Sequence, residues 1–152
     1  MKQFLERGGA WVAGQFLLFA ALIVIALRFP GTGPVAWRGA GAGVLVAAAA
    51  VAIAGAKALG RNLTPFPKPG ACGELIQHGI YANIRHPLYT AVILAGFGWA
   101  LVWLSWPAAV TAAALIPFFH AKSRREEDFL RQRFPGYREY ETRTNRFIPL
   151  VY

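Results

Sequence analysis

Three long stretches without a charged side chain constrain this chain more than any other feature. Residues 8–27, 39–56 and 86–121 contain no Asp, Glu, Lys or Arg, although the chain has 16 basic and seven acidic residues. A helix needs about 20 consecutive apolar residues to cross the hydrocarbon core of a bilayer. The three runs therefore favour an integral membrane protein over a soluble globular domain.

The third charge-free run is too long for one crossing, and a turn-forming sequence between Trp103 and Pro107 divides it. We predict one helix from near Pro87 to near Ser105 and a second from Pro107 to about Ser123, joined as a tight hairpin. Both prolines suit the first turn of a helix, where a missing N–H is tolerated. With one helix from each of the first two runs, the sequence predicts an all-α fold with four transmembrane helices in a single domain, residues 1–152.

Two other interpretations of the first two runs are less favoured. The apolar stretch of the first run exceeds the 7–15 residues of a secretory signal, and no small-x-small cleavage site follows it. In the second run, Gly39-x-Gly41-x-Gly43 is superficially similar to a nucleotide-binding loop, but no strand precedes it. Small residues that let two helices approach closely explain this pattern better.

The basic residues predict how the helices are oriented. Residues 1–56 then contain the first two helices, and residues 86–121 form the hairpin of the other two. With four crossings, both termini lie on the same side of the membrane as the loop 57–85 and the tail 122–152. That side carries 14 of the 16 basic residues, and only Arg28 and Arg38 lie on the other. Loops rich in Lys and Arg are cytoplasmic, so we expect both termini inside, in an inner or plasma membrane.

The same argument limits the partners that the chain is expected to have. Since topology accounts for the net charge of +9, no nucleic-acid partner is expected. The single cysteine, Cys72, leaves no internal disulfide and no cysteine cluster for zinc, so no metal site is predicted.

Polar chemistry is therefore confined to the loop at 57–85 and the tail at 122–152. Arg85 and His86 immediately precede the third helix, whose first N–H groups and dipole attract anions. Arg85 alone is equally explained as an anchor for lipid phosphate. The fourth helix continues beyond the membrane, where Glu126 lies one turn before Leu130; a solvated charged helix is the alternative explanation there.

Two linked motifs resemble those of the isoprenylcysteine carboxyl methyltransferase family, which belongs with the membrane phospholipid methyltransferases. The resemblance covers about residues 60–150 and implies a small membrane enzyme that uses S-adenosylmethionine at the cytoplasmic face to methylate a lipid-like acceptor. One departure is Pro135, where the family often has Gly. The motifs are Gly79-x-Tyr81-x-x-x-Arg85-His86-Pro87-x-Tyr89, then Glu126-Glu127-x-x-Leu130-x-x-x-Phe134-x-x-Tyr137-x-x-Tyr140 with a terminal Arg146-Phe147-Ile148-Pro149.

The resemblance also implies roles for individual residues. Arg85 and His86 would hold the methionine carboxylate of the cofactor, while a Glu would take the ribose hydroxyls or the amino group. We expect the catalytic residues to be Arg85, His86 and Glu127. The cofactor-binding residues implied are Tyr81, Arg85, His86, Tyr89, Glu126, Glu127 and Tyr137.

The acceptor is the least constrained part of this interpretation. A prenylcysteine carboxylate needs only a nearby cation, for which Arg143 and Arg146 are the predicted substrate-binding residues, and carboxyl O-methylation is the leading expectation. A phosphatidylethanolamine amine has to lose a proton first, to His86 or a Glu. The Ala-, Gly- and Arg-rich composition is typical of bacteria, where neither acceptor need be the natural one. The alternatives are a sterol-reductase-like enzyme using NADPH and a non-catalytic lipid-binding membrane protein, and the oligomeric state is open.

Overall fold

The computed structural model describes residues 8–68 and 73–148, in which every regular element is a helix and no β-strand occurs. The predicted all-α class is confirmed. Lys2, Arg7, Cys72 and Pro149, on which parts of the sequence interpretation rest, lie outside the described residues. The α-helices are α1 (Gly9–Arg28), α2 (Val35–Leu59), α3 (Pro87–Val102), α4 (Trp106–Arg133) and α5 (Tyr137–Arg143), with short 3₁₀ helices at Gly60–Asn62 and Gly79–Ala82.

Two of the described helices, α1 and α2, are long and apolar enough to cross a membrane. Helix α3 is also apolar, but its 16 residues span only about 24 Å of a hydrocarbon core that is about 30 Å thick. Helix α4 combines an apolar first half with a charged second half, as predicted for a helix that extends beyond the membrane. The arrangement with four spans stays a prediction.

The turn between α3 and α4 differs from the predicted one. Helix α3 ends at Val102, three residues before the expected end at Ser105, because Leu104 adopts a left-handed conformation with φ of 50°. Ser105 then caps α4, where its side chain accepts a hydrogen bond from the Ala108 N–H at 3.4 Å. Pro87 and Pro107 lie in the first turns of α3 and α4, as predicted.

Helix α2 lies very close to α3, and glycine makes this possible. A Cβ atom on Gly41 would lie 2.7 Å from the Val102 nitrogen and 2.8 Å from the Gly98 oxygen. Backbone atoms therefore occupy the space that any side chain at position 41 would need, and these atoms cannot move aside. The expectation that small residues allow close helix approach is confirmed at this position.

The interior between α1, α3 and α4 is built from small and medium apolar side chains. Ala26, Leu115 and Phe119 are completely buried, and Phe19 of α1 stacks on Phe119 at 6.4 Å between ring centroids. This packing fixes α4 against α1 and α3, so the charged half of α4 extends from a rigid base.

The two connecting turns meet at one end of the molecule. The Gly31 N–H donates to the Trp103 carbonyl at 3.0 Å, and the guanidinium of Arg38 donates to the Val102 carbonyl at 3.0 Å. Arg38 was expected to lie before its helix, but α2 begins at Val35 and includes it. The loop after α2, the start of α3 and the charged half of α4 lie at the opposite end.

Candidate functional site

The C-terminal segment returns to the start of α3 and pairs with it through the backbone. The Asn145 N–H donates to the Asn83 carbonyl at 3.0 Å, and the Arg85 N–H donates to the Asn145 carbonyl at 2.8 Å. The His86 N–H donates to the carbonyl of Arg146 at 3.0 Å. This pairing brings Arg85, His86 and Arg146 together although they are about 60 residues apart in the sequence.

The Glu127 carboxylate is the centre at which these basic side chains meet. Its side chain is fully buried, and Oε1 accepts from Arg85 Nε at 3.1 Å and lies 3.2 Å from His86 Nε2. Oε2 accepts from Arg146 Nη2 at 2.6 Å. A fourth partner, Arg131, lies one turn along α4 with Nη2 at 3.4 Å from Oε2. Such a buried carboxylate is tolerated because it is multiply paired.

The surroundings of Glu127 determine its protonation state. Burial favours the neutral form, but the hydrogen bonds from His86 and Arg146 outweigh it and hold the pKa of the carboxyl well below its usual range. An ionised carboxylate only accepts hydrogen bonds, so His86 Nε2 carries the hydrogen in this contact. The other ring nitrogen, Nδ1, faces Glu126, whose Oε2 lies 3.8 Å away.

Arg85 is held by further acceptors besides Glu127. Its Nη1 donates to the Glu141 carbonyl at 3.0 Å and to the Thr144 carbonyl. The guanidinium thus joins the end of α5 to α4, and most of its donors are already used inside the protein. The predicted roles of Arg85 and Glu127 toward a cofactor stay predictions, whereas their mutual contact is part of the observed framework.

Tyr89 and Glu126 form a second, more open polar pair. The Tyr89 hydroxyl donates to Glu126 Oε2 at 2.6 Å, and the Tyr89 ring stacks on the His86 ring with centroids 5.3 Å apart. The Glu126 side chain is 27% exposed, whereas that of Glu127 is not exposed at all. Of the adjacent glutamates, Glu126 therefore is the one that a ligand can reach.

A cleft of about 110 Å³ lies beside these residues, between the charged half of α4 and the loop that follows α2. Six of the seven predicted cofactor-binding residues line it, and Glu127 lies behind its wall. Apolar side chains from the loop and the helices form much of the remaining lining. The six are Tyr81, Arg85, His86, Tyr89, Glu126 and Tyr137, and the apolar side chains include Leu59, Phe66, Leu88, Leu130 and Phe134.

Tyr137 lines this cleft and carries a buried hydroxyl that no described residue satisfies. The residue is 1% exposed, and its hydroxyl has no hydrogen-bond partner among the described residues. Burial and the nearby Glu127 charge raise the pKa of this hydroxyl well above its usual range, so it remains a donor. Tyr140, one turn along α5, differs in that its hydroxyl donates to the Tyr81 carbonyl at 2.7 Å. A buried hydroxyl without a partner is unusual, and a bound ligand would satisfy it.

The two arginines predicted to bind an acceptor lie in different environments. Arg146 contacts Glu127 behind the cleft, whereas the Arg143 side chain is 60% exposed. Arg143 donates to Gln77 Oε1 at 3.2 Å and does not line the cleft. The structure therefore does not bring Arg143 to the other predicted residues, and its role as a substrate contact stays a prediction.

Lys122 is a residue that the sequence interpretation missed. A lysine that follows an apolar run usually extends towards water, but the Lys122 side chain is fully buried. Nζ donates to Gln15 Oε1 at 2.6 Å and to the Pro65 carbonyl at 3.0 Å, and it lies 5.1 Å from the centre of the Tyr89 ring. A signal was present in Gln15, a polar residue within the first apolar run.

Two helices long and apolar enough to cross a membrane accompany a cleft of mixed polar and apolar lining, and comparison with known families shows which class of protein the chain resembles. The family model for phospholipid methyltransferases matches residues 37–136. The chain belongs to this family, which agrees with the resemblance found in its motifs. The match includes α2, α3 and α4 and ends just before α5.

Two curated relatives also match about half of the chain. The cobalt-zinc-cadmium resistance protein CzcN of Cupriavidus metallidurans is 37% identical over 78 residues, which are 49% of this chain and 35% of the relative. The nickel-cobalt-cadmium resistance protein NccN of Alcaligenes xylosoxydans xylosoxydans is 36% identical over 78 residues, 50% of this chain and 36% of the relative. The match thus spans about a third of the length of these proteins. Within residues 8–68 and 73–148, no group of three or more His, Cys, Asp or Glu side chains is arranged to hold a metal ion.

Proposed function

We propose that this protein transfers a methyl group from S-adenosylmethionine to a lipid-like acceptor at the cytoplasmic face of a membrane. The observation that carries the proposal is the cleft that Tyr89, Glu126 and Tyr137 line together with apolar side chains. A polar wall opposite an apolar one suits a site that has to hold a polar cofactor and an acceptor with a lipid tail.

The residues of the cleft fit the chemical groups of S-adenosylmethionine. Glu126 supplies an accessible carboxylate for the amino group or the ribose hydroxyls, and the ring of Tyr81 or Phe134 offers a surface for the adenine. The Tyr137 hydroxyl would donate to a ligand oxygen or nitrogen. When bound, the cofactor would supply an electrophilic methyl group, which passes to the acceptor as the bond to sulfur breaks and S-adenosylhomocysteine leaves.

The protein has to position the reactants and exclude water, and no nucleophilic side chain is needed. The loop wall around Phe66 and Pro67 covers the cleft from one side, and Lys122 holds this wall through the Pro65 carbonyl. Glu127 fixes the position of His86. The His86 ring stacks on the Tyr89 ring and so positions the Tyr89 hydroxyl, which donates a hydrogen bond to Glu126.

Between the two acceptor classes, the cleft supports an amine better than a carboxylate. Arg85 is the only Arg or Lys that lines the described cleft, and its guanidinium is bonded to Glu127, Glu141 and Thr144. Glu126, in contrast, is a partly exposed carboxylate of the cleft, whose charge favours a cationic group over an anionic one. The family description also concerns phospholipids. We therefore place N-methylation of a phosphatidylethanolamine-type lipid ahead of carboxyl O-methylation.

Calorimetric titration of the purified full chain with S-adenosylmethionine tests cofactor binding. We expect Tyr137→Phe to weaken binding about two- to tenfold, the effect of one lost hydrogen bond, without loss of stability. The matched control is Tyr140→Phe, which removes a hydroxyl already bonded to Tyr81 and should lower stability but not affinity. Absence of binding by the unaltered protein would overturn the proposal, and binding of NADPH instead would favour the reductase alternative.

The acceptor class is tested with methyl-labelled S-adenosylmethionine and protein in nanodiscs. One set of discs contains phosphatidylethanolamine, and a second contains phosphatidylcholine supplemented with a prenylated cysteine carboxylate. Alkali releases a methyl ester as methanol but leaves an N-methyl group in place. Alkali-stable label in the first set is the expected result; alkali-labile label in the second would instead establish carboxyl methylation. Label in neither lipid would contradict both acceptor assignments.

The cytoplasmic location of the termini is a further part of the proposal. The cleft and most of the basic residues lie at the same end of the helices, opposite the two turns joined by Gly31 and Trp103. Cys72 provides the test because it is the only cysteine. An impermeant thiol reagent should not label it in intact cells, and labelling would contradict this orientation.

A further inference from the structure

A second cleft lies on another face of α4, outside the proposed methyl-transfer site. It has a volume of about 310 Å³, and its surface is almost entirely polar. His120, Arg124, Asp128 and Arg131 line it from α4, and Arg146 lines it from the C-terminal segment. None of these residues lines the cofactor cleft. The two clefts are separated by Glu127, which contacts Arg131 and Arg146 on one side and Arg85 and His86 on the other.

The spacing of the α4 residues explains why they form one surface. His120, Arg124, Asp128 and Arg131 follow one another at intervals of four, four and three residues, which places them along one face of a helix. The face extends over about 16 Å from His120 to Arg131. Arg146 then closes the side of this face, where Glu127 holds its guanidinium.

The charges in this cleft are compensated to different degrees. Arg131 pairs with Glu141 at 2.6 Å and with Asp128 at 2.8 Å, and Arg146 pairs with Glu127. Arg124 is exposed and forms no hydrogen bond or ion pair with any residue that the structure describes. The cleft therefore offers one guanidinium that forms no direct ion pair, beside two others that are held by carboxylates. This arrangement favours a ligand with a single negative charge.

The position of the cleft along α4 indicates where such a ligand comes from. His120 lies at the end of the charge-free run, and Arg124 lies about 6 Å further along the helix axis. The headgroup layer of a bilayer is about 5–8 Å thick on each side. If α4 crosses the membrane as proposed, Arg124 is level with the phosphate groups of the cytoplasmic leaflet.

We propose that this cleft binds the phosphate group of an anionic membrane lipid, with Arg124 as its principal contact. Basic clefts at the cytoplasmic surface of membrane helices suit lipid headgroups of this kind. A guanidinium can donate two parallel hydrogen bonds to phosphate oxygens. Inorganic phosphate carries the same chemistry, so the test has to separate the two sources. The proposal rests on the membrane position of α4 and not on methyl transfer.

The experiment measures binding to the purified full chain in a neutral detergent. The probes are dioctanoyl phosphatidylglycerol, dioctanoyl phosphatidylcholine and inorganic phosphate, each titrated against labelled protein by thermophoresis. We expect phosphatidylglycerol to bind, with much weaker binding of the zwitterionic lipid and of inorganic phosphate. Arg124→Gln should weaken phosphatidylglycerol binding about tenfold, the effect of losing charge-assisted hydrogen bonds to a phosphate.

Arg125→Gln is the matched control. Arg125 is the next residue on α4, but its guanidinium lies over the Phe129 ring at 4.7 Å and does not line the cleft. We expect this variant to bind phosphatidylglycerol like the unaltered protein. Both variants should keep their affinity for S-adenosylmethionine, which also confirms that they are folded.

Three outcomes would overturn the proposal. The first is that Arg124→Gln and Arg125→Gln weaken phosphatidylglycerol binding equally. The second is that the protein binds phosphatidylglycerol and phosphatidylcholine with equal affinity. The third is that inorganic phosphate binds as tightly as the lipid, which would indicate a site for a soluble anion. A protein that binds the lipid through Arg124 but does not bind S-adenosylmethionine would refute the proposed function and leave this inference intact.

Discussion

Replacing Glu127 with Gln tests whether this residue holds the framework of the site. Gln has the same shape, but it lacks the charge, and its amide nitrogen cannot accept a hydrogen bond. The change leaves the guanidinium groups of Arg85, Arg131 and Arg146 with a neutral partner, at contacts of 2.6–3.4 Å. Removing one partner of a buried ion pair costs about 3–5 kcal/mol. Since Arg85 and Arg131 keep other acceptors, we expect the free energy of unfolding to fall by about 4 kcal/mol.

The assay is thermal or detergent-induced unfolding of the full chain in mixed micelles, followed by circular dichroism. For a chain of this size, about 4 kcal/mol corresponds to a decrease in Tm of about 8–16 °C. Glu126→Gln is the matched control because it makes the same change at the adjacent position. Glu126 is partly exposed and bonds to Tyr89, so we expect a loss of no more than about 1.5 kcal/mol together with weaker binding of S-adenosylmethionine.

Two results would refute this reasoning. One is an equal, small loss of stability in both variants, which would mean that the buried contacts of Glu127 contribute nothing beyond an exposed pair. The other is loss of cofactor binding by Glu127→Gln without any decrease in Tm, which would mean that Glu127 acts on the ligand directly and not through its neighbours.

Further predictions concern pH, helix packing and the loop wall. The pKa of Glu127 is depressed in the folded state, so this carboxylate stabilises the fold fully above pH 4.5, the ordinary pKa of Glu, and its contribution is lost as the pH falls below that value. Plots of Tm against pH should show this decrease in stability, and Glu127→Gln should make the decrease shallower. Gly41→Val should lower stability by about 1–3 kcal/mol because backbone atoms occupy the space, while Gly43→Val, which faces open space, should have little effect on Tm. Lys122→Met should weaken binding of S-adenosylmethionine in calorimetry, because it releases the loop at Pro65, and unchanged affinity would show that the loop needs no such contact.

Much of the fold and of the residue clustering followed from sequence. The charge-free runs located α1 and α2 to within a few residues, and the two motifs identified residues that the structure places around one cleft. The ends of a charge-free run predict helix boundaries less reliably, because a helix can include an arginine whose guanidinium donates to backbone carbonyls. Arg38 does this at the end of α3, so α2 starts earlier than the run suggested.

The features that sequence reasoning missed depend on contacts between distant segments. The backbone pairing of Asn83 and Arg85 with Asn145 involves too few residues to produce an alternating strand pattern. Lys122 follows an apolar run, a position where a lysine usually reaches water, and only the acceptors Gln15 and Pro65 explain why it is buried. The separation of Glu126 from Glu127 also required the structure, since both belong to the same motif.

The two adjacent glutamates illustrate how one helix serves both the ligand and the framework. Consecutive residues on a helix point about 100° apart, so their side chains cannot face the same space. On α4, Glu126 faces the cleft and Tyr89, while Glu127 faces the buried basic side chains. Since Glu127 binds His86, and His86 stacks on Tyr89, the position of the accessible carboxylate depends on the buried one. A pair of adjacent carboxylates is therefore what this geometry requires, because glutamates one turn apart would both face the cleft or both face the interior.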